Sequence, residues 1–234
     1  MNPIPRQLWR VAGVLAIAHV VLIPISLALE MPALFSDGVD GIADAYGDGN
    51  MARSFTGGVV ESCAFLMLIP VLIFMGRVLG RGSEVGRWAA QTGVVCGAAY
   101  VTVTFAVGFP AGAAAMYGVQ NGLELETALM VNNVRNFAYF LSLLLLGGST
   151  LGFSVAALAE GVHRRWWGLV GTGTSVALLV STPLAALNLH DWGVLIWMVW
   201  LLGVGVLMVR HAEDSGGAAV TEREPAHSGT LGAG

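Results

Sequence analysis

Long apolar runs alternate along the chain with short joints rich in arginine, aspartate or glycine. Six runs reach the ~20 residues that a helix needs to cross the hydrocarbon core of a bilayer. They cover residues 9–29, 56–75, 88–108, 137–159, 166–187 and 192–209. In hydrocarbon a helix satisfies all of its own backbone donors and acceptors, so each run predicts one helix. The fold class is all-α: a polytopic membrane protein with a six-helix transmembrane bundle. Residues 1–210 make one membrane domain. Residues 211–234, rich in Gly, Ala, Glu and Ser without an apolar period, predict a disordered tail.

Charge orients the bundle. All eleven basic residues are arginine, and nine of them fall on one side of the predicted spans: Arg6, Arg10, Arg77, Arg81, Arg87, Arg164, Arg165, Arg210 and Arg223. The positive-inside rule makes that side cytoplasmic and puts both termini there, in a plasma membrane. Trp9, Trp88, Trp166 and Trp167 lie beside these arginines, as an interfacial aromatic belt requires. The first run also has the outline of a signal peptide, with Ser26-Leu27-Ala28 as its cleavage site. Its length and the interruptions at His19 and Pro24 favour an uncleaved span.

Composition agrees and removes whole classes of function. Hydrophobic residues make up 56% of the 234 and charged residues 11%, against ~25% charged in soluble domains. The absence of lysine excludes retinal and pyridoxal Schiff bases. Two cysteines, Cys63 and Cys96, are too few for a thiolate metal cluster. They sit on different spans at different depths, which predicts buried free thiols rather than a disulfide. There is no glycine-rich phosphate loop, and a net charge of −4 without a basic run excludes nucleic acid as a partner. His19 has no second histidine at its depth to complete a haem site, so no cofactor is expected. The loop from Glu30 to Arg53 carries Asp37, Asp40, Asp44 and Asp48 without the order of a calcium loop, and reads as a solvated acidic segment.

Ionisable groups inside a bilayer are costly, by at least ~2.5 kcal/mol near its centre. Glu61 lies roughly 8 Å below the outer boundary at 1.5 Å per residue, deeper than any other acid, and His19 lies near the middle of the first span. At similar depth come Tyr100, Thr102 and Thr104 on span three, and Asn132, Asn136 and Tyr139 along the fourth segment with Arg135. Asn132 and Asn136, four apart, share a helix face. Asn188, His190 and Asp191 lie between spans five and six. Together they predict a polar cavity open to the outside and closed below by Leu, Val and Trp, with Glu61, His19, Tyr100, Thr104, Asn132, Arg135 and Asn136 as its binding residues. The structural alternative makes Glu61 a protonated acid bonded to a neighbouring helix, or the partner of Arg135. Gly93 with Gly97, and Gly148 with Gly152, remove side chains at one-turn spacing and let helices approach.

Residues Arg10-Val11-Ala12-Gly13-Val14-Leu15 and Gly49-Asn50-Met51-Ala52-Arg53-Ser54-Phe55, with 72–81 and 147–158, resemble an uncharacterised family of six-helix bacterial membrane proteins known only as a domain of unknown function. That resemblance implies a bacterial plasma-membrane bundle and brings no catalytic residues with it. In size the chain also looks similar to the small integral-membrane terpene cyclases, which use membrane-embedded acids as proton donors. That likeness implies catalytic roles for Glu61 and Asp191, although Val60 stands where a Trp would precede the acid. Three functions follow in order: binding or transport of a small lipophilic molecule, intramembrane acid catalysis by Glu61 with Asp191, and an accessory role in a homo-oligomer or membrane complex.

Overall fold

The computed structural model describes residues 4–34, 36–47, 50–161, 165–187 and 191–221, with the backbone alone at 185–187 and 214–221. Asp48, Arg164, Asn188 and His190 lie outside the described residues. The elements are α1 (Arg6–Glu30), α2 (Gly38–Tyr46), α3 (Met51–Leu79), α4 (Glu84–Val103), a π-helical turn (Thr104–Gly108), α5 (Phe109–Gln120), α6 (Leu125–Glu160), α7 (Trp166–Ser181), a 3-10 turn (Thr182–Leu187) and α8 (Asp191–Thr221). Among the described residues there is no strand. Six helices are long and apolar enough to span a bilayer: Arg6–Glu30, Met51–Leu79, Glu84–Gln120, Leu125–Glu160, Trp166–Leu184 and Asp191–Glu213. This is a multi-pass membrane protein.

Each span packs on its neighbours in sequence, and α8 closes the ring against α1. Glycine sets the closest approaches. A Cβ on Gly152 of α6 would stand 2.6 Å from the Gly93 nitrogen and 2.7 Å from the Ala89 carbonyl of α4, so these backbones touch only because side chains are missing. Gly97 packs on Leu72 and the Ser149 hydroxyl. The paired glycines expected to drive helix contact therefore do so inside the fold. A Cβ on Gly13 would meet the Gly205 carbonyl at 2.6 Å, closing α1 on α8 toward the arginine-rich end. At that end Glu160 covers the start of α4. It accepts from the Ser83 N–H at 2.6 Å and the Ser83 hydroxyl at 2.9 Å, while Ser83 caps α4 through the Gly86 N–H. Val11, Val14, Leu66, Ile73, Val95, Leu169 and Val199 point outward, where lipid replaces water.

Several boundaries differ from the sequence reading, each for a physical reason. The third span does not stop at Gly108. Pro110 cannot donate to the carbonyl four residues back, and the wider turn at Thr104–Gly108 absorbs the lost bond, with the Phe109 N–H reaching Thr104. Helix α6, about 54 Å long at 1.5 Å per residue, overhangs the bilayer at the arginine-poor end. The segment after α1 keeps its acids solvated, with Asp37, Asp40 and Asp44 exposed, but it is not only a loop: it contains α2, whose Ile42, Ala45 and Tyr46 are buried with Ala33, Ala115, Met116 and Ala128. Helix α8 runs past Arg210 to Thr221, into the segment expected to be unstructured. Cys63 is exposed rather than buried, and both cysteines are free.

Candidate functional site

Near the arginine-poor end of the ring lies a cavity of about 190 Å³. Its mostly apolar wall is drawn from α1, α3, α4, the π turn, α5, α6 and α8. Of its lining, Leu34 and Asp191 are exposed, while His19, Phe65, Leu143 and Trp197 are buried. Eight residues singled out from the sequence line it: Glu61, His19, Tyr100, Thr104, Arg135, Asn136, Tyr139 and Asp191. Thr102 points away from it, exposed.

Asn132 does not line the cavity. It is fully buried behind the wall, accepting from the Tyr46 hydroxyl at 2.9 Å and donating to the Ala33 carbonyl at 3.0 Å. Asn136 donates to the same carbonyl at 3.4 Å. The shared face of these two asparagines thus clamps the chain leaving α1. That chain is aimed at them by a left-handed turn at Met31 (φ 45°), which ends α1 with the Met31 N–H on the Leu27 carbonyl.

Arg135 is paired, but with Glu30 rather than Glu61. Its Nη2 lies 2.6 Å from Glu30 Oε1, and its Nη1 donates to the Tyr46 hydroxyl at 3.1 Å. Gly112 makes room for it, since a Cβ there would stand 2.9 Å from Arg135 Cδ. Burial pushes the Tyr46 phenol above its ordinary range, against the pull of the Arg135 guanidinium, so Tyr46 remains a neutral donor to Asn132. The Gln120 amide holds the Tyr46 carbonyl at 2.6 Å, and the Ser54 hydroxyl bonds the carbonyls of Glu30 and Ala45. Gly57 lets α3 approach the end of α1, because a Cβ would collide with the Glu30 nitrogen at 2.6 Å.

The Glu61 carboxyl lies within electrostatic reach of both Glu30 and Arg135. Glu30 and Glu61 each bury an Oε2 atom to which no group offers a donor. The Tyr100 and Tyr139 rings lie within electrostatic reach of Glu61, and Tyr139 within reach of Asp191 as well.

His19, 1% exposed, contacts the Ala64 carbonyl through Nδ1 at 2.8 Å. A carbonyl oxygen only accepts, so Nδ1 carries the hydrogen, and in the neutral ring Nε2 keeps the lone pair. That atom is buried and has no partner. The ring stands edge-on to Phe65 (5.9 Å) and Trp197 (5.7 Å), and Phe65 also meets Tyr100 at 5.3 Å and Phe109 at 6.0 Å. A second, smaller cavity of about 90 Å³ lies toward the arginine-rich end among Trp9, Met75, Phe153, Trp167, Trp200 and Met208.

The sequence reading placed Glu30 in a loop and missed α2. The signals were there: Glu30 follows the first apolar run directly, and Val39, Ile42 and Tyr46 form a helical stripe. Among the described residues no group of His, Cys, Asp and Glu side chains is arranged to hold a metal ion. No family model, curated protein or solved structure matches the chain, so the six-helix family resemblance has no support beyond the six apolar helices themselves.

Proposed function

We propose that this protein binds or transports a small lipophilic molecule in the cavity around Glu61. The observation that carries the reading is the joint presence, in one apolar cavity, of buried acceptors without donors, Glu61 Oε2 and His19 Nε2. Buried polar groups are normally satisfied, and an unpaired one costs ~1–3 kcal/mol. A ligand carrying a donor on an apolar body would recover that cost. The size suits it: an apolar cavity of ~150 Å³ accepts a benzene ring, and this one is about 190 Å³. Following the arginine bias, the cavity faces outward and the arginine-rich end faces the cytoplasm.

Two measurements test this. 4-tert-Butylphenol, an apolar body with one hydroxyl donor, added to the purified protein should raise its melting temperature, and Val194→Trp, which fills the cavity from α8, should abolish the shift without unfolding the chain. No shift in the parent, or an equal shift in both, overturns the reading. For sidedness, Asp191→Cys in a chain with Cys63 and Cys96 replaced by Ser should react with an impermeant maleimide added outside intact cells; labelling of Glu84→Cys instead would reverse the orientation.

The shared cavity also favours the second reading, acid catalysis by Glu61 with Asp191, because both acids line it. It ranks lower because Glu61 stands beside Glu30 and Arg135, residues that the catalytic pair does not use. The accessory-subunit reading loses its main argument, since Gly93, Gly97 and Gly152 pack within the chain.

A further inference from the structure

We propose that the two cavities are the ends of one path through the bundle, and that the protein passes an uncharged lipophilic alcohol or phenol along it. This rests on the reading of the outer cavity, around Glu61, as a ligand site, and adds the route and the chemistry of the cargo.

Both cavities draw on α1, α3, α6 and α8. Helix α1 packs between α3 and α8, and α6 between α4 and α7, so α1 and α6 stand on opposite sides of the ring. A cavity that touches both lies inside it. On each of the four helices one stripe, stepping by three and four residues, runs from one cavity to the other. On α3, Phe65 lines the outer cavity, Leu68 and Leu72 follow, and Met75 and Leu79 line the inner one. On α6 the order is Leu143, then Leu146 and Thr150, then Phe153 and Ala157. On α8 it is Val194 and Trp197, then Leu201, then Val204 and Met208. Helix α1 runs the other way, from Trp9 at the inner cavity through Ala12 and Ala16 to His19 and Ile23 at the outer one.

The middle residues of all four stripes are buried and together close the path. Such a stripe is how any bundle packs its core; this one widens into a cavity at both ends. His19 and Trp9, Phe65 and Met75, and Leu143 and Phe153 are each ten residues apart. At 1.5 Å per residue the barrier is about 15 Å thick, half of a ~30 Å hydrocarbon core. Alanines on α1 leave the closure to leucines of α3, α6 and α8, whose side chains turn between rotamers without breaking backbone bonds.

The path selects its cargo. Among the described residues, those of the barrier and the inner cavity include no ionisable side chain. Their hydroxyls are spent: Thr150 donates to the Leu146 carbonyl at 2.9 Å, and Ser154 to the Thr150 carbonyl at 2.7 Å. A charged cargo would cross this length without a partner, which is strongly disfavoured. At the outer end the buried atoms without a partner are acceptors, Glu61 Oε2 and His19 Nε2. At the inner end it is a donor, the indole N–H of Trp200, a side chain that lines that cavity. A hydroxyl group donates to the first and accepts from the second. A ketone cannot donate at the outer end, and a hydrocarbon answers neither. The inner cavity, about 90 Å³ against about 190 Å³, makes the outer end the wider station in this structure.

The test asks whether cargo opens the barrier. In a chain with Cys63 and Cys96 replaced by Ser, Thr150→Cys puts a thiol in the barrier. Ser149→Cys puts one at the same depth on the α4 face of α6, where the serine hydroxyl bonds the Gly93 carbonyl. Each protein, in lipid vesicles, is treated with N-ethylmaleimide, a small uncharged thiol reagent, with and without 4-tert-butylphenol, and the adduct is counted by intact mass. A carrier opens when loaded, so 4-tert-butylphenol should speed labelling of Thr150→Cys at least about threefold and leave Ser149→Cys unchanged. A ligand that only occupies a binding site stabilises the closed bundle and slows its openings. Slower or unchanged labelling of Thr150→Cys, or equal acceleration of both thiols, overturns the path. If 4-tert-butylphenol still raises the melting temperature of the parent and not of Val194→Trp, the cavity reading then stands alone; with no rise in the parent, both fall. Should Thr150→Cys not fold, Ala16→Cys on the facing stripe of α1 takes its place.

Discussion

Glu30 and Arg135 join the end of the first span to the fourth, and a double-mutant cycle on this pair probes the architecture most directly. Their atoms meet at 2.6 Å with both side chains 11% exposed, too buried for water to screen them well. Glu30→Gln removes the charge that meets the guanidinium at close range and leaves a neutral amide oxygen in its place. Arg135→Gln leaves two carboxyls facing each other and deprives Tyr46 of a partner. Removing one member of a buried pair costs ~3–5 kcal/mol. At ~2–4 °C per kcal/mol for a chain of this size, each single variant should melt about 6–20 °C below the parent. The double variant replaces an ion pair with two amides able to bond each other, so it should melt well above the sum of the two losses, with a coupling of ~1–3 kcal/mol. Melting is followed by tryptophan fluorescence in one detergent, with monodispersity checked by size-exclusion chromatography. A coupling below ~0.5 kcal/mol would mean that the two residues act independently, and that the ion pair does not hold α1 to α6.

Two further outcomes follow from particular contacts. Gly152→Ala should destabilise by ~1–3 kcal/mol, because its Cβ would strike α4 backbone, whereas Gly173→Ala, with nothing within 4 Å, should leave the melting temperature unchanged or slightly higher; equal effects would refute the close α4–α6 approach. Tyr46, with its phenol raised by burial, holds its proton in the folded chain where the unfolded chain loses it. That contribution is complete below about pH 10 and is lost as pH climbs through the raised value, so Tyr46→Phe should lose less stability than the parent between about pH 9 and 11. Identical alkaline slopes would show the hydroxyl to be solvated.

The spans were legible because a 20-residue apolar run has one stable form in hydrocarbon. Depth was legible too: counting residues from a span's end was enough to bring Glu61, His19, Tyr100 and Arg135 to one cavity. Rotation about the helix axis was harder. Asn132 and Asn136 differ by only about 40° around α6, yet that turn sends one behind the wall toward Tyr46 and leaves the other on the cavity. Partner choice was hardest. Arg135 had Glu61 as an acid of matching depth, and Glu30 becomes the partner only because the turn at Met31 and the packing of α2 hold the end of α1 against α6. Pro110 misled in the other direction: it marks the end of a helix by itself, and only the ladder shift at Thr104–Gly108 carries the span onward.

The Glu30–Arg135 contact also has a consequence for how the chain is made. The two residues are 105 positions apart, so at ~5–20 residues per second of synthesis Glu30 waits roughly 5 to 20 s for its partner. Through that interval α1, α3 and α4 are already made, and Glu30 lacks the guanidinium that it meets in the finished chain. The N-terminal half is thus an unfinished object with an acidic end until α6 arrives. A ribosome stalled just before Arg135 would leave a fragment with three spans complete and Glu30 without its partner, a form distinct from the finished bundle.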